Sequence, residues 1–327
     1  MIKTISDIYN EFYQLFVSGG MPRGISTGWP SLDPFYTIRR GEFTLVTGIP
    51  GHGKSSWLDN VMIQTAVDHD WKWLVFSAEN QPAARHAANL SAIYIGRPFN
   101  PSSRQRMSQE DWLYAGGFLD TQIRFMEPVP HECNINDILA RAYYEQFHAM
   151  VIDPWNELDH ARPATMTETE YISECLSKIR RFARDKNVAV FVVAHPTKLI
   201  RVKSGEDANA YPVPTPYDVS GSSHWRNKSD NCICVWRDVT SPLKDTHIHV
   251  QKIRFREVGN VGVCKLYYDR ETGRYIDPLT GDRPAFAVQK YRDDMDARIQ
   301  AHEEELAKLT LELEAVQAAR QKFDSGR

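Results

Sequence analysis

The sequence predicts an α/β protein with a mostly parallel central sheet, helices on both faces and an antiparallel β extension. Five apolar β-type runs, at 43–48, 73–78, 122–126, 149–153 and 188–194, are separated by helical stretches near 54–68, 81–96, 135–147 and 168–186. Strands alternating with helices build parallel sheets. Three more runs, at 231–236, 247–255 and 262–268, follow without intervening helices, and so predict the antiparallel extension.

The elements follow in order. Ile5, Ile8, Tyr9, Phe12, Leu15 and Phe16 recur at helical spacing and stop at Gly19-Gly20, which predicts a short amphipathic helix. The segment GISTGWPSLD leads into the first strand. Residues 199–217 hold three prolines and no periodicity, the signature of a long loop. After about 288 the chain turns into an Ala/Glu/Leu-rich helix in which Leu306, Leu309, Leu313 and Val316 form either a packing stripe or part of a solvated surface. The expected organisation is a linker helix over 1–25, a main domain over 26–288 and an acidic helical tail over 289–327.

The 327 residues, 42% hydrophobic and 25% charged, suffice for one large domain with additions at its ends. A net charge of -3 excludes a uniformly basic protein that coats nucleic acid, so any such contact must be concentrated locally. Cys133, Cys175, Cys232, Cys234 and Cys264 include no C-x-x-C pair, and their odd number does not suggest a disulfide framework. Cys232 and Cys234 alternate within NCICVW and read as one face of a strand rather than a zinc site. No run reaches the roughly 18 apolar residues of a membrane span, and the first residues are too polar for a leader. The expectation is a cytoplasmic protein with no membrane partner.

Residues Gly48 to Ser55, GIPGHGKS, match G-x-x-x-x-G-K-[ST] directly after a strand and before a helix. In that setting Gly48, Gly51, His52, Gly53 and Ser56 shape a loop whose N–H groups cradle phosphates. Lys54 reaches the terminal phosphates and the Ser55 hydroxyl binds Mg²⁺. Asp153 ends an apolar strand where a carboxylate holds the same cation. Glu79 ends the strand after the phosphate-loop helix and can orient and deprotonate a water, although the position also suits a helix-capping carboxylate. His195, just past another strand, can sense the γ-phosphate.

These four pieces, in this order, resemble the RecA-like hexameric replicative helicases: the DnaB-type and Twinkle-like enzymes and the phage primase-helicases. The match runs from about Ser26 to about Tyr268. VSGSSHWRNKSDN (219–231) looks like the family's fourth motif and KIRFREVGNVG (252–262) like its K-x-R motif with a glycine turn. The resemblance implies that Arg254 enters a neighbouring subunit's triphosphate site, with Lys252 assisting. Arg256 is the second candidate, and an ion pair within its own chain is the alternative role for Arg254. It also implies that Lys198, Arg201 and Lys203, and Arg226, Asn227 and Lys228, line a channel for single-stranded DNA.

The function that follows is an ATP-dependent DNA helicase, driven by ATP or another NTP or dNTP with Mg²⁺. It implies a homo-oligomeric, six-membered ring on forked or single-stranded DNA, translocation 5′ to 3′ and a separate primase or loader. The short stretch ahead of the motor points to a phage or mobile element. The competing class is a RecA-like ATPase switch or recombination mediator that binds DNA and unwinds nothing.

Overall fold

Apolar runs without polar alternation become strands covered on both faces, as parallel sheets require. The computed structural model describes residues 2–102, 104–129, 131, 133–197, 211–219, 223–237, 245–282 and 308–310. In chain order its elements are α1 (Tyr9–Val17), β1 (Phe43–Thr47), α2 (Lys54–His69), β2 (Trp73–Ser77), α3 (Ala83–Ile95), α4 (Gln109–Gln122), β3 (Ile123–Met126), α5 (Ile135–Tyr143), β4 (Ala149–Asp153), α6 (Glu168–Lys186), β5 (Ala189–Val193), α7 (His224–Lys228), β6 (Asn231–Arg237), β7 (Asp245–Ile253), β8 (Gly262–Tyr268) and β9 (Tyr275–Ile276). The sheet order is β3-β2-β4-β5-β1-β6-β7-β8-β9.

In that order the strands from β3 to β6 run parallel, and β7, β8 and β9 are antiparallel. This corrects one expectation. The run at 231–236 pairs in parallel with β1, Leu45 opposite Cys232, so the antiparallel extension begins one strand later. The chain between β5 and β6 returns to the amino-terminal edge of the sheet through α7, whose five residues are too few for a helical period to show. Because β6 is interior, Cys232 and Cys234 are both buried, and all five cysteines are free thiols.

In β8 the pattern changes: Cys264 and Leu266 face inward while Val263 and Tyr267 are exposed, the alternation of a strand with one open face. The core on one side of the sheet joins Leu45, Phe76, Ile152 and Val192 to Ile138 of α5, Leu176 and Ile179 of α6 and Trp225 of α7. Capping boxes start α6, with Thr167 and Glu170, and α4, with Ser108 and Asp111. The sequence reading did not anticipate α4, because Gly116 and Gly117 interrupt it and its inward face is small, or the two-residue β9.

The segment before β1 fastens the far end of the sheet. Trp29 stacks on Trp57 of α2 at 6.3 Å and donates to the Tyr275 carbonyl of β9 at 2.9 Å. The expected amino-terminal helix is present as α1, preceded by a 3₁₀ turn, and none of its residues is buried. The chain divides into units Met1–Asp282 and Arg283–Arg327. Residues 308–310 of the second are helical and Leu309 is exposed, whereas Leu306, Leu313 and Val316 lie outside the described residues. Among the described residues no helix is long and apolar enough to cross a membrane.

Candidate active site

The loop from Gly48 to Gly53 joins the end of β1 to the start of α2. Gly48, Gly51 and Gly53 have φ of 147°, 80° and 95°, a region that side chains disfavour. A Cβ at Gly48 would also collide with the Val235 carbonyl oxygen, and one at Gly53 with the Tyr275 hydroxyl. The loop therefore lies hard against β6 and β9. Lys54 is buried at the head of α2, its amine donating to the carbonyls of Gly48 (3.0 Å) and Ile49 (3.3 Å). Burial lowers its pKa, opposed by Asp153, Glu79 and Cys234.

His52, at the loop tip, accepts the Arg237 backbone N–H on Nδ1 at 3.0 Å. Burial, then Arg237 and Lys54, push its pKa down to about 4. A neutral imidazole thus holds the loop to the end of β6 without adding charge.

Parallel strands deliver the other groups to the same edge. Ser77 of β2 lies opposite Asp153 of β4, which places Glu79 two residues beyond, and β5 delivers His195. His195 Nε2 is 3.9 Å from Glu79 Oε1, and the His195 N–H donates to Asn156 Oδ1 at 2.9 Å. Burial, and then Lys54, lower the His195 pKa against the pull of Glu157, which favours the neutral ring.

Asp153 is buried and its Oδ1 has no hydrogen-bond partner. Burial pushes its pKa up to about 6; Asp59 and Glu79 add to that, while the hydrogen-bonded Ser55 hydroxyl and Lys54 oppose it. A carboxylate oxygen without a partner beside a hydroxyl is a hard-donor pair that suits Mg²⁺. Among the described residues no group of three or more His, Cys, Asp or Glu could hold a metal. Mg²⁺ needs none, since it usually takes one or two protein oxygens together with substrate phosphates and water.

Residues 33–199, which span the loop, Glu79, Asp153 and His195, match the family described as AAA domain. The chain belongs to the AAA domain family.

Beyond that match, the chain is 38% identical over 283 residues to an Arabidopsis thaliana protein described as Twinkle homolog protein, chloroplastic/mitochondrial. The alignment covers 81% of this chain and 38% of that relative, so the chain spans well under half of its length. Among solved structures it resembles one described as an ATPase domain (TM-score 0.68, 20% identity, 85% of this chain and 99% of that one). It also resembles a DnaB-like replicative helicase described with its interactions with primase (0.65, 19%, 85% and 67%). A third likeness is to the RadB recombinase (0.53, 14%, 77% and 98%). At these identities the structures establish a shared RecA-like fold.

The remaining predicted residues of this AAA domain sit elsewhere. Arg254 Nε lies 2.9 Å from Asp230 Oδ1, and its Nη2 donates to the Asn227 carbonyl at 3.0 Å. Lys252 donates to the carbonyls of Ser229 (2.6 Å) and Arg226. Asp230 in turn accepts the N–H of Phe43, the first residue of β1. Arg254 is therefore at the opposite end of β1 from the phosphate loop, about 16 Å away for five residues at ~3.3 Å each.

Only one of the two expected channel segments falls among the described residues. Lys198, Arg201 and Lys203 lie outside the described residues, and Arg226, Asn227 and Lys228 belong to α7 at the amino-terminal edge. Lys228 donates to the Ser173 carbonyl at 2.7 Å and to the Ser177 hydroxyl, which ties α7 to α6. Arg226 lies over Tyr217 at 5.4 Å.

The sequence reading passed over several groups. Arg237 ends β6 beside the phosphate loop, its guanidinium 4.7 Å from the Tyr268 ring centroid, and the Tyr275 hydroxyl donates to the Gly53 carbonyl at 3.3 Å. Assigning β6 to the antiparallel set hid Arg237; in a parallel strand its carboxyl end must lie beside Gly48. Asp59 of α2 and His86 of α3 form a buried pair, 2.7 Å apart. Burial opposes a charged His86, but Asp59 outweighs it and raises the pKa. No motif announces that pair.

Proposed function

We propose that this AAA domain hydrolyses a nucleoside triphosphate with Mg²⁺ and is the motor of a ring-shaped DNA helicase. One observation carries the reading: the phosphate-binding groups and the K-x-R cations occupy opposite edges of the same sheet. Arg254 cannot span the roughly 16 Å to its own phosphate loop. In a ring built head to tail, the amino-terminal edge of one subunit meets the carboxyl edge of the next, and one site is completed from two chains.

Within that site Ser55 and Asp153 would hold Mg²⁺, which neutralises charge on the β- and γ-phosphate oxygens. Lys54 leaves the Gly48 and Ile49 carbonyls for the terminal phosphates. Glu79 orients the attacking water and accepts its proton. His195, 3.9 Å from Glu79, couples that carboxylate to the γ-phosphate and to the segment that follows β5. Arg254 of the neighbour stabilises the charge that builds on the transferring phosphoryl group, with Lys252 assisting.

We infer single-stranded or forked DNA as the track, ATP or another NTP or dNTP as the fuel and a hexamer as the assembly; the likeness to a DnaB-like replicative helicase supports the helicase reading on which these rest. The DnaB-like replicative helicase, whose structure is described with its interactions with primase, supports a primase partner. On DNA contacts the geometry favours Arg226 over Lys228, whose amine is engaged with α6.

The test is hydrolysis against protein concentration, with and without single-stranded DNA, alongside light scattering. Turnover per subunit should rise with assembly and again with DNA. A constant rate from a monomer indifferent to DNA refutes the shared site. The likeness to RadB keeps a non-unwinding ATPase switch as the second reading, and strand displacement on a forked duplex separates the two.

A further inference from the structure

Three guanidinium groups converge on one buried carboxylate at the amino-terminal edge. Asp230 Oδ1 lies 2.9 Å from Arg254 Nε, 3.4 Å from Arg180 Nε and 3.7 Å from Arg184 Nη2. Asp230 Oδ2 accepts the Phe43 N–H at 3.1 Å, which anchors the carboxylate to β1. Asp230 is fully buried, whereas the side chains of Arg254, Arg180 and Arg184 are 27%, 24% and 48% exposed. One cation would neutralise the charge; three are present.

The Arg254 contact is close but is not locked. Neither Arg254 Nε, Arg180 Nε nor Asp230 Oδ1 makes an aligned hydrogen bond. Attraction between charges depends little on angle, so one guanidinium can replace another there with small movements. Arg180 and Arg184 are four residues apart on α6, on one face of that helix. Burial lowers the Arg180 pKa against the pull of Asp230, and Arg254 and Arg184 lower it further by repulsion. Removal of one of the three cations relieves that crowding.

We propose that Asp230 is the resting place of the trans-acting Arg254, and that Arg180 and Arg184 are positioning residues that neutralise Asp230 when Arg254 swings to the neighbour's triphosphate. The inference rests on the trans reading of Arg254. If Asp230 had Arg254 as its sole partner, every departure would strand a buried charge, which is strongly unfavourable. With two guanidiniums in reserve the carboxylate stays paired when Arg254 leaves, and the remaining cost is that of the Nη2 hydrogen bonds to the Asn227 and Ser229 carbonyls. The device acts on the charge-stabilising step and not on nucleotide binding, which occurs at the other edge.

The experiment uses the full chain carrying Arg180→Gln with Arg184→Gln, which keeps most of each side chain. At protein concentrations where light scattering shows assembly, kcat should fall roughly tenfold with KM unchanged, about one ion-pair interaction. Lysine at both positions should restore most of it. A second measurement follows melting of the unassembled chain. Arg254→Ala should lower Tm slightly in the natural background and by about 5 °C or more in the double-glutamine background, where it removes the last cationic partner of Asp230. An unchanged kcat in assembled double-glutamine rings, or additive melting shifts, overturns the inference and leaves Arg254 its role in trans. Should the glutamine chain not assemble, the melting cycle decides alone. Normal turnover by assembled Arg254→Ala overturns both readings.

Discussion

The two edges of the sheet handle charge in opposite ways. At the carboxyl edge Lys54 is buried, Asp153 lacks a hydrogen bond on Oδ1, and His52 and His195 are pushed toward neutrality. At the amino-terminal edge Arg254 and Lys252 are bonded to carbonyls and to Asp230. At the first edge the Lys54 amine has only loop carbonyls and Asp153 Oδ1 has no partner; at the second, Arg254 has a carboxylate as well as carbonyls within the chain. On the proposed reading such edges complement each other between subunits and not within one.

The largest effect should come from Lys54→Ala, which removes the cation nearest the phosphates. Hydrolysis should fall to background and triphosphate binding, followed by a fluorescent analogue, should weaken. Arg254→Ala should cut kcat by roughly 10³ or more and leave nucleotide affinity within about threefold, since Arg254 does not touch its own subunit's site. The comparison breaks if both substitutions weaken binding equally. It sharpens on mixing the two inactive chains: about a quarter of randomly mixed interfaces join an intact phosphate loop to an intact Arg254, so activity should return. A mixture that stays inactive while assembling argues for a site made within one chain.

Asp153→Asn separates the edges by pH. The folded pKa of about 6 stands above the ordinary value of 3.8, so the folded chain binds the extra proton and its stability falls as pH rises between those values. Above pH 6 the natural chain carries that cost in full. The asparagine chain, free of nucleotide and Mg²⁺, should be more stable at pH 7.5 by on the order of 1–3 kcal/mol and inactive. Equal stability of the two chains in urea at that pH would mean that Asp153 is not held at a cost.

The smallest effect concerns Asp59 and His86, behind the carboxyl edge. The raised His86 pKa gives stability that is present in full below the unfolded value of 6.5 and is lost as pH rises through the folded value. Chemical denaturation across neutral pH should show that decline, and His86→Gln should flatten it. An unaltered slope would assign the decline to other groups.

The carboxyl edge was largely legible in the sequence, because its chemistry is encoded locally. A glycine pattern between a strand and a helix dictates a phosphate loop, and Glu79, Asp153 and His195 each follow an apolar run that can only be a strand. The lateral order of those strands was not legible, yet it did not matter, since all parallel strands end on the same side.

The residues by themselves determined the α/β class, the phosphate loop, the buried strands and the candidate groups at their ends, because hydrophobic period and glycine conformation act over a few residues. Strand direction and partner choice depend on pairings between distant segments, so only the tertiary structure decided that β6 joins the parallel set. That pairing places Arg237 beside the phosphate loop and Arg254 at the far edge. It also gathers Arg180, Arg184 and Arg254 around Asp230, residues up to 74 positions apart (254 minus 180) that no local pattern connects.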